Sequence, residues 1–216
     1  MESAGEKAMD CFESIAEAQI TVAGFFQEIS HIIVSVEEKL LANSFVPVGD
    51  SDVFQDVSQS LDLGSRWIPR YVARAYVKGK RPTEAIGYCI HFGPYTDPAG
   101  LSFLEKSNLS LPFISLACLK NMQPGPLELN RRQIWDRIWD SGWWATYEDH
   151  VKGPLRIYTT TKSISGFQAT VVGALTRLLP LEDKTAVAER IAAALVFLHE
   201  NNESELLKLP YLLPQK

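Results

Sequence analysis

Apolar side chains in the first forty residues recur at alternating steps of three and four. They fall at Ala8, Phe12, Ile15, Val22, Phe26, Ile29, Ile33, Val36 and Leu40, with Gln19 filling the one gap. That is the heptad spacing of a helix that keeps one seam toward a neighbour. It predicts a single long amphipathic helix over Glu6 to Leu41. At 1.5 Å per residue such a helix is roughly 54 Å long, whereas a body built from the rest of the chain has a diameter of roughly 40 Å. The helix therefore either breaks, with Gly24 as the natural point, or overhangs the body and is covered by a second copy. Ile20, Phe25, Ile32, Val34 and Leu41 widen the stripe beyond a narrow seam, which suits packing on more than one neighbour. Glu13, Glu17, Glu28, Glu37 and Glu38 interrupt every apolar run short of the ~20 residues a bilayer requires, so no membrane role is expected.

Beyond Leu41 the pattern changes. Pro47 and Gly49 mark a loop, and Val53, Phe54, Val57 and Leu61 are spaced as a short helix closed by Gly64. From Arg70 to Val77 and from Glu84 to Phe92 the period is two, and the short Lys78–Pro82 turn between them predicts an antiparallel hairpin. Asp97 before Pro98 caps a short helix to about Lys106. Phe113 to Leu119 is almost continuously apolar, as a central strand would be, and Asn121 to Pro126 reads as the loop that follows it. Leu127 to Asp140 reads as a helix, and Trp143 to Tyr147 and Leu155 to Thr160 as strands. Ile164, Phe167, Val171, Leu175 and Leu178 step as a helix stopped by Pro180, and a last helix covers Glu182 to Asn201.

Strands in the middle with helices before and after, and no regular βαβ alternation, give an α+β fold. We expect a mainly antiparallel sheet of about five strands with helices on one face. The organisation is a long N-terminal helix over residues 1–45, for packing or dimerisation, and a single α+β domain over 46–216.

Composition adds three constraints. The apolar share of 46% and charged share of 22% are those of an ordinary soluble protein. Cys11, Cys89 and Cys118 are odd in number and far apart, which favours buried thiols in a reducing, cytoplasmic setting over a disulfide framework. The acidic start of the chain, with no apolar run behind it, does not read as a signal peptide. Residues 1–63 carry 12 acidic and 2 basic side chains, and residues 64–216 carry 14 and 19, so the net charge of −5 divides into about −10 and +5. The two parts can attract one another within a chain or between chains.

Candidate chemistry is sparse. No phosphate-binding loop, dinucleotide fingerprint, nucleophile elbow or zinc-protease motif occurs, and no residue set calls for a cofactor or a metal. Cys89 and His91 share a strand face, the arrangement a thiol nucleophile and its base would need. Glu148, Asp149 and His150 form an acid–histidine cluster before a turn. Arg66, Arg70, Arg74, Lys78, Lys80 and Arg81 form the densest basic run, with Trp67, Tyr71 and Tyr76 interleaved. This can bind phosphates and stack bases, or pair with the acidic front helix. Trp135 and Trp139 lie one helical turn apart; a small-molecule pocket, if present, would use them with Tyr88, His91 and Tyr95. With no catalytic residue assigned, the sequence favours a cytoplasmic binding or regulatory protein that dimerises through its first helix. The alternatives are nucleic-acid binding through Arg66–Arg81 and an enzyme built on Cys89/His91 or Glu148–His150.

Overall fold

Helix α1 runs without a break from Ala4 to Ala42. Gly24 does not interrupt it, because a single glycine in a helix costs only about 1 kcal/mol against alanine while the turns on either side continue the hydrogen-bond ladder. The structure, a computed structural model, describes residues 4–49, 53–55, 71–80, 82–92, 113–123, 125, 158–164, 167–177 and 184–209. Side chains of α1 are described from Glu13 onward. The helix ends where Asn43 and Ser44 donate back to Leu40 and Leu41, with Ser44 at a φ of 65°.

The chain is mixed helix and strand, with an antiparallel sheet behind the long helix. The strands are β1 (Phe45–Pro47), β2 (Phe54–Gln55), β3 (Tyr71–Lys78), β4 (Ala85–His91), β5 (Phe113–Gln123), β6 (Tyr158–Ile164) and β7 (Phe167–Arg177). They make a seven-stranded sheet in the order β1-β3-β4-β5-β7-β6, with β2 also on β3. Among the described residues that is more than the expected five: β3, β4, β5 and β6 fall on expected strands, whereas β1, β2 and β7 do not. Phe54–Gln55 belongs to β2, paired with Ala73 and Val72, where the sequence suggested a helix. The β3–β4 hairpin is as anticipated, with Gly79 at a φ of 89° in its turn. β5 lies between β4 and β7, the internal position its apolar run implied.

Two further expectations need correction. β5 continues to Gln123 instead of ending in a loop at Asn121. It does so through a bulge: one extra residue separates the Lys120–Thr170 and Gln123–Gln168 pairs, with Asn121 left-handed at 55°. The second is Phe167–Arg177, which is a strand and not a helix. Ile164 faces Phe167 across a hairpin with only Ser165 and Gly166 between them. The expected helices at 98–106 and 127–140, the strand at 143–147 and the turns around 93–98 and 152–154 lie outside the described residues.

Helix α2 (Lys184–His199) carries the predicted stripe of Val187, Ile191, Leu195 and Leu198, all buried. It ends on Asn201 at a φ of 56°, with Asn202 donating to the Phe197 carbonyl. Lys120 on β5 donates to the His199 carbonyl, a cation at the negative end of the helix. A single turn, α3 (Glu203–Leu206), follows and is capped by Asn202.

One core joins these elements. From α1 it takes Ile29, Ile32, Ile33, Val36 and Leu40; from α2 the stripe just named; from the sheet Val72, Tyr76, Ile86, Tyr88, Ile90, Ile114, Leu116 and Cys118. The strand residues share one parity, so they lie on one face. The opposite face of β3, β4 and β5 is also buried and carries a row of small residues in register, Ala75, Gly87 and Ala117. Ion pairs bind α1 to α2, at Lys39–Glu189 (2.9 Å) and Lys184–Glu28. Lys184–Glu28 joins an acid of the front helix to a base of the remainder, whereas Lys39–Glu189 has the opposite polarity.

Candidate functional site

Only the C-terminal half of α1 is spent on this core. From Glu13 to Gly24 every residue is exposed, including Ile15 at 48% and Ile20 at 73%. Those twelve residues extend about 18 Å. Burial starts where Phe25, Phe26 and Phe92 meet edge to face, with ring centroids 5.4–5.5 Å apart. The helix is thus unbroken and extends beyond the core formed by the described residues. By length and composition Glu13–Ala42 is apolar enough to cross a bilayer, as core helices of soluble proteins also are. Here Ile29, Ile32, Ile33, Val36 and Leu40 are already taken up by the chain's own core.

Beside the buried half of α1 lies an open groove of about 510 Å³. Phe26, Ser30, Ile33, Val34 and Leu41 form its helical wall, and Val53 and Val72 form the wall from the sheet side. The volume is in the range of ligand-binding clefts, and the lining is mostly apolar. Its polar feature is Arg74, whose side chain is 3% exposed. Arg74 Nε and Nη2 donate to Glu37 Oε2 at 3.1 and 2.7 Å. Strand alternation drives Arg74 inward beside Val72 and Tyr76, and α1 supplies the carboxylate that makes a buried guanidinium tolerable.

Tyr76 and Tyr88 stack next to this pair, with centroids 6.3 Å apart and planes 19° from parallel. Both are fully buried, and neither hydroxyl has a hydrogen bond of good geometry to the described residues. Burial pushes both phenol pKa values well up, so the pair stays protonated.

Several sequence candidates fall elsewhere. Arg74 is withdrawn from the basic run as a phosphate contact, because it is inside and paired. Lys78 and Lys80 are exposed, with Lys78 Nζ 5.1 Å from the centroid of the Phe45 ring. Arg70 and Arg81 lie outside the described residues. Cys89 and His91 do share a face of β4, but His91 Nε2 is 2.8 Å from Ser115 Oγ, and burial raises the Cys89 thiol well above its ordinary pKa. A nucleophilic cysteine needs the reverse shift. Cys118 faces the other side of the sheet, where burial pushes its thiol up to about 12. Tyr88 and His91 project from opposite faces of β4, so they do not converge on one pocket. Tyr95, Trp135, Trp139, Glu148, Asp149 and His150 lie outside the described residues. Among those described, no three ligands gather for a metal.

The groove was not foreseen from sequence. Its signal was present in Val34 and Leu41, which are two helical turns apart and off the main seam. No protein-family model, curated protein or solved structure matches this chain.

Proposed function

We propose that this protein is a cytoplasmic, non-catalytic binding or regulatory protein that works as a homodimer assembled through α1. The observation that carries the reading is the bare stretch from Glu13 to Gly24. Ile15 and Val22 continue, without a change of phase, the seam that Phe26, Ile29, Ile33, Val36 and Leu40 bury. A heptad seam kept in register where none of the described residues covers it is explained by a surface offered from outside. The flanking chemistry agrees. On the overhang the positions bordering the seam are Ala16, Ala18 and Ala23, while Glu13 and Glu17 point away from it, so two copies meet without facing like charges.

Sedimentation analysis at micromolar concentration tests this. The unmodified chain should sediment as a dimer, and the doubly substituted Ile15→Glu, Val22→Glu chain as a folded monomer with unchanged circular dichroism in its strand signal. A wild-type chain that is monomeric throughout overturns the proposal.

A further inference from the structure

We draw no further inference here: the strongest candidate, the open groove between the C-terminal half of α1 and β3, where the Arg74–Glu37 pair meets the apolar walls of Phe26, Val34 and Val72, carries nothing because nothing in the structure shows what covers it.

Discussion

His91 shows what single residues contribute here. Its ring is 4% exposed, hydrogen-bonded to Ser115, and held by desolvation at a pKa of about 3 against an ordinary 6.5. Between those values the unfolded chain binds a proton that the folded chain refuses. The stability contributed by keeping His91 neutral is full above pH 6.5 and is lost as pH falls toward 3. At about 1.4 kcal/mol per pKa unit, acidification from about pH 7 to about pH 4.5 should cost about 2–3 kcal/mol through this residue. Urea unfolding of wild type and His91→Gln at the two pH values measures it: the variant should lose that much less stability on acidification. Equal losses would mean the imidazole charges without unfolding. That Cys89 and His91 share a face was legible in the period of two. That both are buried was not, because one face of a strand says nothing about what covers it. Arg74 was half legible: pairing with the acidic front helix was one of the two readings of the basic run, and Glu37 on α1 supplies it, but the burial of that guanidinium was not foreseen.

Elements were legible where one hydrophobic period had no rival and illegible where two periods fitted the same residues. α1, α2, β3 and β4 were placed within a few residues of their observed ends. β7 was misread because Phe167, Val171 and Leu175 fit a helical step while Thr170, Val171, Val172 and Thr176 supply a β-branched run, and the Ser165–Gly166 pair before it is a hairpin turn signal. Paired with Ile164 and its neighbours, the segment satisfies its backbone across two ladders, β5 and β6, which outweighs the apolar step. Glycine gives a test at this scale, because the same substitution should act with opposite sign in two elements. At Gly24 an added Cβ meets nothing within 4 Å, so Gly24→Ala should stabilise the helix by about 0.5–1 kcal/mol. At Gly87 the Cβ would lie 2.7 Å from the Arg74 carbonyl oxygen, backbone that cannot step aside without parting β3 from β4. Gly87→Ala should cost about 1–3 kcal/mol. Denaturant midpoints at fixed m-value report both; a destabilised Gly24→Ala would show that α1 relies on a bend there.

At the scale of the molecule, the division of α1 into a buried half and a bare half separates folding from assembly. The described overhang, Glu13 to Gly24, is exposed at every residue, whereas Phe25 and Phe26 already pack on Phe92. Removing residues 1–24 should therefore leave the core joining α1, α2 and the sheet intact, at the small cost of helix turns that fray at a new end. Assembly should disappear with them. Dimeric wild type gains stability from its partner by mass action, so its Tm should rise with protein concentration, by about 1–3 °C per tenfold for a chain of this size. The shortened chain should unfold cooperatively at a Tm that does not move with concentration and that matches the wild type extrapolated to high dilution. Calorimetry across a hundredfold concentration range distinguishes the outcomes. A shortened chain that melts far below the wild type at every dilution would make the overhang part of the fold. The bare seam would then owe its heptad pattern to intrachain packing, and a second copy would no longer be needed to explain it.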